Sequence, residues 1–404
     1  MAEKGKYNPA GIDVGNSSVV AAVAYATGSS IPAAVAACPT VGMRRGVITD
    51  PESLARCVAD ALQKAEKSAG IKVPAVRVGF TGYTVEFVPA EVKITAAGTR
   101  RVNQGDLDRL KGIAATKNIP AGKQILQVMP VDYVVDSLAG VNNPLGMKFK
   151  TLKLIARLLT VDSKLINSLT DVFNRISLKP TGFVPSTLAA AGGAMTTPEM
   201  HLGTALLDLG AVATGLTVYN YGCRLGFKLL PVGGEHISGD LAVGLRTTLE
   251  AAGGIVKRIG LEIKIAPENL EAPGINGTGT HRIDCEFAQK IIEARVAEIL
   301  DMAKIAIKEI AGDTALPGGV VLTGGGAALG GLEKFAAEYL DMPVRLAGTR
   351  IPGPDGKVSE GYCCTAAVGL LQKDEFDLKP PSAEGRQRGV WKSLIEYLRT
   401  SERN

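Results

Sequence analysis

The sequence predicts an α/β protein of two related lobes that face each other across a groove, with a small α+β subdomain inserted into the first lobe. Three observations support this prediction. A hairpin plan of apolar strand, Asp-x-Gly turn and second strand occupies residues 10–28. The same plan returns at 203–232, about 195 residues further along, which indicates an internal repeat. A strand, a triple-glycine turn and a helix follow at 318–340, so three turns are expected around one groove.

Length and composition are those of a soluble protein of two or three domains. The chain has 404 residues, 46% of them hydrophobic and 21% charged. A net charge of +5 is weak for this length, so no nucleic-acid partner is expected. The six cysteines form no CxxC pair and there are three histidines, which argues against zinc. The first residues, MAEKGKYNPA, are not a signal peptide, and no apolar run reaches the roughly 18 residues of a spanning helix. We therefore expect a cytoplasmic protein.

The first half of the chain divides into the first lobe and its insert. The first part of the lobe is expected at 8–82 and contains the hairpin, a helix and a strand at 75–82. The helix at 50–70 has Asp50 as its cap, Pro51 at its first position and Gly70 at its end. Residues 83–160 alternate in polarity around a helical stretch from Gln104 to Ala115, which predicts a separate α+β interaction subdomain. A helix at 163–178, then a strand and a helix, complete the lobe over 161–200.

The second half contains the second lobe and a tail. The lobe is expected over 201–345, with a helical subdomain at about 240–312. The stretch HISGDLAVGLRTTLEAAGG (236–254) is interpreted as one helix, and residues 287–312 as a longer one. Residues 346–372 are expected to return to the first lobe. The segment 373–388 is rich in charge, Pro and Gly and predicts a linker, and an amphipathic helix is expected at 389–404.

The three turns have the composition of a phosphate and metal site. A carboxylate at the end of a strand, such as Asp13 or Asp208, can hold a divalent cation. The glycine two residues later allows backbone amides to face a phosphate, and a triple glycine before a helix allows close approach of a ligand. Each turn alone is also compatible with an ordinary tight turn.

Longer strings in the sequence resemble one family. The chain resembles FtsA, a bacterial cell-division family within the actin, Hsp70 and sugar-kinase superfamily. The strings that carry the resemblance are GIDVGNSSVVA, GMRRGVITDPESLARCVADALQKAEKSAG, ILQVMPVDYVVDSLAGVNNPLGM, LLPVGGEHISGDLAVGLRTTLEAA and IIEARVAEIL. They cover nearly the whole chain, and the motif at 43–48 is specific.

The resemblance implies a fold, ligands and partners. The fold is a two-lobed actin-like ATPase with duplicated ribonuclease-H-like domains and an inserted subdomain. The family implies binding of ATP with Mg²⁺, self-assembly into a filament, tethering of the FtsZ ring to the membrane and recruitment of other division proteins through the insert. By position, the nucleotide residues are Asp13, Gly15, Asn16, Ser17, Asp208, Gly210, Thr214, Gly324, Gly325 and Gly326, with Asp13 and Asp208 also at the metal.

The second phosphate loop departs from the family pattern. The family has roughly Asp-x-Gly-Gly-Gly-Thr-Thr-Asp, whereas this chain has Ala211, Val212 and Ala213 followed later by Gly215. A left-handed backbone at Val212 would cost about 1–2 kcal/mol. In the family, the helix at the ribose and adenine carries a Glu and a Lys. The nearest alignment places Gly253, Gly254 and Val256 there, whereas a shifted alignment places Glu250 and Lys257 at these positions. We therefore expect a pocket of retained shape, with weak or absent hydrolysis.

The C-terminal segment has the composition of a membrane anchor. On a helix, one face carries apolar side chains and the flanks carry basic ones. The apolar set is Val390, Trp391, Leu394, Ile395 and Leu398, and the basic set is Lys392 and Arg399. An anionic lipid surface is the expected partner, at the cytoplasmic face of the membrane and the division site. A final helix that docks on the core is the alternative.

Two other functions remain open from the sequence. One is a PilM-like pilus-assembly adaptor, which would bind a membrane partner's peptide and need no anchor of its own. The other is a small-molecule kinase or chaperone ATPase, against which no catalytic base stands beside the altered second loop.

Overall fold

The structure, a computed structural model, describes residues 10–25, 31–117, 119–262, 270–276, 279–352 and 358–372. The chain begins with a hairpin, a third strand and a helix. Asp50 caps that helix by accepting hydrogen bonds from the amides of Glu52 and Ser53, and Gly70 ends it with a φ of 68°. The helix cap and end predicted from the sequence are thus confirmed. The bounds are β1 (Ala10–Val14), β2 (Ser18–Val23), β3 (Ala34–Pro39), β4 (Met43–Arg44), β5 (Val47–Ile48), α1 (Pro51–Ala69) and β6 (Ala75–Phe80).

The insert forms its own antiparallel sheet with one helix packed on it. The sheet order is β7-β10-β8-β9, with α2 on one face, and the two layers share a separate apolar core. The charged string GTRR at residues 98–101 is typical of a solvated loop. In the structure these residues instead complete β7, because Arg100 pairs with Asp106 at the start of α2. The bounds are β7 (Glu86–Arg101), α2 (Gln104–Ala115), β8 (Lys123–Val135), β9 (Leu138–Val141) and β10 (Lys148–Asp162).

The chain then returns to the first lobe and completes its sheet. The next elements are α3 (Ser163–Arg175), β11 (Lys179–Pro185), α4 (Ser186–Ala194) and α5 (Thr197–Leu202). The finished sheet has the order β11-β6-β1-β2-β3. Its pairs β1–β6 and β6–β11 are parallel, and β1–β2 and β2–β3 are antiparallel. Helices α1 and α3 bury the apolar face of this sheet.

The second lobe repeats the plan of the first. Its sheet order is β14-β13-β12-β17-β18, again with two antiparallel pairs followed by two parallel pairs. The duplication predicted from the two hairpins is therefore confirmed, and the fold is a two-lobed α/β fold with an inserted subdomain. The bounds are β12 (Thr204–Leu209), β13 (Thr214–Asn220), β14 (Cys223–Leu230), α6 (Gly234–Gly244), α7 (Leu249–Ile259), β15 (Glu271–Pro273), β16 (Thr280–Arg282), α8 (Cys285–Ala311), β17 (Val320–Thr323), α9 (Leu332–Leu340) and β18 (Val344–Leu346).

The interpretation of 236–254 as one helix is wrong. α6 ends at Gly244, Arg246 has a φ of 51°, and Thr248 caps the separate helix α7. The break is held by a tertiary contact, because the hydroxyl of Thr247 donates to the carbonyl of Pro273 at 2.7 Å.

Helix α4 and the last helix of the described chain pack against each other between the lobes. After the hairpin β19 (Thr349–Pro352) and β20 (Val358–Gly361), the described chain ends with a turn at Tyr362–Cys364 and helix α10 (Thr365–Gly369). α10 packs against α4 and against β1. A side chain at Gly369 would lie 1.8 Å from the carbonyl of Ala189, so the glycine is required at this helix crossing.

No described helix is long and apolar enough to cross a membrane.

Candidate functional site

Two aspartates stand at equivalent ends of the two sheets. Asp13 pairs in register with Gly79 of the parallel neighbour strand, and Asp208 pairs with Thr323 in the same way. The turns that follow are also equivalent. The amide of Gly15 donates to the carbonyl of Ser18 at 3.1 Å, and the amide of Gly210 donates to the carbonyl of Ala213 at 3.0 Å. Ser18 and Ala213 each lie five positions after the aspartate of their turn. The two turns therefore keep one backbone geometry despite different side chains.

The first turn of α4 holds both carboxylates. The hydroxyl of Ser186 donates to Oδ1 of Asp13, and the hydroxyl of the next residue, Thr187, bonds Asp208. Both hydroxyl-bearing residues are buried. The positive end of the helix also favours negative charge at this point. Sequence reasoning missed these two residues, although Pro-Ser-Thr between a strand and a helix marks a helix start.

Burial raises the pKa of both carboxyl groups. The pKa of Asp13 rises to about 6, because desolvation outweighs the hydrogen bond from Ser186. The pKa of Asp208 rises to about 7 through desolvation and the negative charge of Asp13. No cationic group is among the causes of either shift. Two half-buried carboxylates whose pKa values no described cation lowers are a donor set that suits a divalent cation.

The glycine turn lies against the second aspartate. Gly324 has a φ of 84°, and a Cβ there would come within 2.5 Å of Oδ1 of Asp208. Gly326 similarly abuts Leu209, whereas a Cβ at Gly325 would meet open space. The turns at residues 13, 208 and 324 are thus adjacent, as the sequence predicts, and Gly325 leaves room for a ligand to approach.

A tyrosine bridges the lobes at the mouth of the groove. The Tyr83 hydroxyl donates to the carbonyl of Val212 at 3.2 Å, which links the insert boundary to the second turn. Its ring packs on Gly46, whose φ is 79° and whose amide donates to Oδ1 of Asn16 at 2.7 Å. The 43–48 hairpin, the first turn and the second turn therefore contact one another through Tyr83 and Asn16.

The second turn needs no left-handed residue at Val212, so the cost considered for that position does not arise. The positive φ angles of the described chain include none from residue 210 to 213, and both Val212 and Ala213 are buried. The loop thus forms without a left-handed residue. What it lacks is the hydroxyl and extra glycine amides that the family pattern provides.

The other predicted residues are engaged elsewhere, exposed, or outside the described residues. Thr214 is fully buried, and its hydroxyl donates to Val232 at 2.8 Å, so that hydroxyl is engaged within the lobe. Ser17 is exposed at the first turn. Glu250 and Lys257 are exposed and seven residues apart on α7, and the end of α7 contacts the loop after the glycine turn through Leu261 and Gly330 at 2.8 Å. The linker at 373–388 and the tail residues from Val390 to Arg399 lie outside the described residues.

Two family models match the chain. The model described as "Cell division protein FtsA" matches residues 205–368, and the model of the SHS2 domain inserted in FtsA matches 82–160. Together they span more than half of the chain.

Curated relatives extend the match to most of the chain. The cell division protein FtsA of Bacillus subtilis (strain 168) is 28% identical over 383 residues, which cover 94% of this chain and 85% of that protein. FtsA of Escherichia coli (strain K12) is 26% identical over 412 residues, which cover 96% and 97%.

Solved structures share the fold at low identity. The PilM–PilN type IV pilus biogenesis complex has a TM-score of 0.66 at 14% identity and covers 91% of this chain and 98% of that chain. MreB 5 of Spiroplasma citri bound to AMPPNP has a TM-score of 0.52 at 14% identity and covers 97% and 99%.

Proposed function

This chain belongs to the FtsA family of cell-division proteins, and from that premise we propose that it is an actin-like adaptor that links the FtsZ ring to the cytoplasmic face of the membrane. In this proposal the protein binds ATP with Mg²⁺ in the groove, assembles with copies of itself and recruits further division proteins through the insert. The observation that carries the nucleotide part is the convergence of Asp13, Asp208 and Gly324 on one groove.

The groove residues have distinct roles in this proposal. Asp13 and Asp208 would hold Mg²⁺, which would neutralise two carboxylates whose pKa values no cation of the described residues lowers. Magnesium supplies charge compensation between these carboxylates and the phosphates. Gly15, Asn16, Ser17 and Gly210 line the phosphate side. Gly324 and Gly326 pack the glycine turn against the second lobe, and Gly325 between them leaves space for the adenosine. Glu250 and Lys257 reach the sugar and base from α7.

Nucleotide acts mainly as a conformational ligand in this proposal. Ala211, Val212 and Ala213 offer no side-chain donor or general base beside the phosphates. The Tyr83 bond to Val212 already joins the lobes at the mouth of the groove, so a ligand between the turns changes how the lobes close. Slow or absent hydrolysis is therefore expected. The fold shared with a nucleotide-bound MreB 5 supports the binding role.

The tail anchors the adaptor to lipid in this proposal. Val390, Trp391, Leu394, Ile395 and Leu398 insert at the lipid interface, while Lys392 and Arg399 contact anionic headgroups. One short helix binds weakly, so self-assembly increases retention by presenting many tails at once.

Co-sedimentation with lipid vesicles tests the adaptor role. The full chain and purified FtsZ are spun with vesicles that contain anionic lipid, with ATP and Mg²⁺. We expect both proteins in the pellet, and FtsZ in the pellet only when the full chain is present. Truncation after residue 385 and the variant Trp391→Lys should leave both in the supernatant, whereas Ser393→Ala is the matched control and should pellet normally. Equal pelleting of the truncated chain would refute the anchor.

The PilM-like alternative has one observation in its favour. The PilM–PilN structure shares the fold with a TM-score of 0.66. At 14% identity this likeness concerns the fold alone, whereas the FtsA models match both the insert and the second lobe. A pilus adaptor would stay in the supernatant in the vesicle assay unless its membrane partner were present.

A further inference from the structure

Adjacent cysteines form a pair of thiols at the end of the described chain. The Sγ atoms of Cys363 and Cys364 lie 3.6 Å apart. Cys363 is exposed, whereas Cys364 is buried against Val20 and Ala22 of β2. One sulfur of the pair is therefore accessible to a reagent while the other belongs to the core.

The exposed sulfur stands beside the groove. The amide of Gly324 donates to the carbonyl of Tyr362 at 3.1 Å, so the residue before Cys363 is bonded to the glycine turn. The hydroxyls of Thr323 and Thr365 are 2.9 Å apart and hold the other side of the same turn. The charge of Asp13 acts on both sulfurs. A group attached to Cys363 would therefore occupy space near Asp13 and the glycine turn.

The contact between the sulfurs shifts the pKa values of the two thiols in opposite directions. The hydrogen bond from Cys364 lowers the pKa of Cys363 to about 7, although burial and Asp13 oppose it. The same hydrogen bond, together with burial, raises the pKa of Cys364. An accessible thiolate attacks a disulfide readily, and a buried protonated thiol does so poorly.

We propose that Cys363 is a modification site that forms a mixed disulfide with small-molecule disulfides of the glutathione type, and that the attached group blocks the groove. The sulfur of Cys363 attacks one sulfur of the reagent disulfide. The new S–S bond forms as the reagent S–S bond breaks, and the other half leaves as a thiolate that takes up a proton. The reagent disulfide is the oxidant, so no further electron acceptor is required. Adjacent residues joined by a trans peptide have Cα atoms about 3.8 Å apart, closer than the roughly 4.4–6.8 Å that a disulfide requires. Cys364 therefore does not displace the attached group, and the mixed disulfide persists.

Reaction with oxidised glutathione tests the modification. The full chain is incubated with the reagent, quenched at intervals, and each cysteine is quantified by mass spectrometry. We expect Cys363 to gain one glutathionyl group roughly tenfold faster than the half-buried Cys285. Cys363→Ser should abolish the fast adduct, and Cys285→Ser should not change it. Equal rates at the two cysteines would overturn the proposal. A disulfide between Cys363 and Cys364, seen as a loss of two hydrogens without a glutathionyl group, would overturn it as well.

Whether the attached group blocks the groove is tested separately, and this part of the proposal rests on the proposed function. ATP binding in Mg²⁺ is measured before and after glutathionylation of the full chain and of Cys363→Ser under the same treatment. We expect binding to fall at least severalfold in the natural chain and to stay unchanged in the variant. Unchanged binding by the modified natural chain would overturn the blockade. Failure of the unmodified chain to bind ATP would instead count against the proposed function, while the reaction rates still decide the modification.

Discussion

At the scale of single residues, Asp208 makes the apo protein sensitive to pH. Burial and the charge of Asp13 raise its pKa from the ordinary 3.8 to about 7 in the folded chain. Because the pKa of Asp208 is higher in the folded chain than in the unfolded chain, the protonated carboxyl stabilises the folded state relative to the ionised one. Its contribution to stability is therefore full below about pH 4 and is lost as the pH rises through about 7.

Replacing this carboxyl should stabilise the protein at high pH when no Mg²⁺ or nucleotide is bound. In Asp208→Asn we expect the free energy of unfolding at pH 8, in chelator, to exceed that of the natural chain by roughly 2–4 kcal/mol, with no such gain at pH 4. The check is thermal unfolding of both chains across this pH range. Asp171→Asn, at an exposed position of α3, is the control and should change nothing. A gain of equal size at pH 4 and pH 8 would contradict the assignment.

The residue scale also shows where a sequence argument is weakest. The aspartates and glycines of the three turns are visible in the sequence because each lies in a short, recognisable string. Ser186 and Thr187 are not, since their role depends on two carboxylates that are distant in sequence. Whether the second turn needs a left-handed residue at Val212 could not be read from the sequence either. The turn after Asp208 forms the same backbone hydrogen bond as the turn after Asp13, and it does so without a positive φ. This backbone geometry is visible only in the structure.

At the scale of elements, the contact between α4 and α10 sets the joint between the lobes. A Cβ at Gly193 would come within 2.1 Å of the carbonyl of Thr365, which is backbone and cannot move aside alone. Gly193→Ala should therefore destabilise the protein by about 1–3 kcal/mol, measured by chemical unfolding.

A second helix glycine provides the matched control. A Cβ at Gly254 of α7 would meet open space, so Gly254→Ala should be neutral or stabilise by up to about 1 kcal/mol. Equal effects at Gly193 and Gly254 would show that helix propensity, and not the crossing, decides the result.

Element boundaries were predictable where local chemistry sets them. The ends of α1 follow from Asp50, Pro51 and Gly70, all of which act within one turn of the helix. The break between α6 and α7 was missed because it depends on Thr247 bonding Pro273, which is distant in sequence. The extension of β7 through 98–101 was missed likewise, since the Arg100 pair with Asp106 forms only when α2 folds back.

At the scale of the whole molecule, the two sheets have the same strand order and place their aspartates at the same register position. The duplication was visible in the sequence as two hairpins of one plan. The way the lobes meet was not, because it depends on backbone contacts through the glycines of α4 and α10 and on the bond from Tyr83 to Val212. This joint brings the two carboxylates close enough for their charges to interact.

The most direct test of the shared groove is calorimetric titration of ATP into the full chain with and without Mg²⁺. We predict Mg²⁺-dependent binding by the natural chain, and loss of at least about 1.5 kcal/mol of binding free energy in both Asp13→Asn and Asp208→Asn, because each removes one charged ligand of the cation. Binding that needs no Mg²⁺ and survives both substitutions, or no binding at all by the natural chain, would contradict a nucleotide site built from the two lobes.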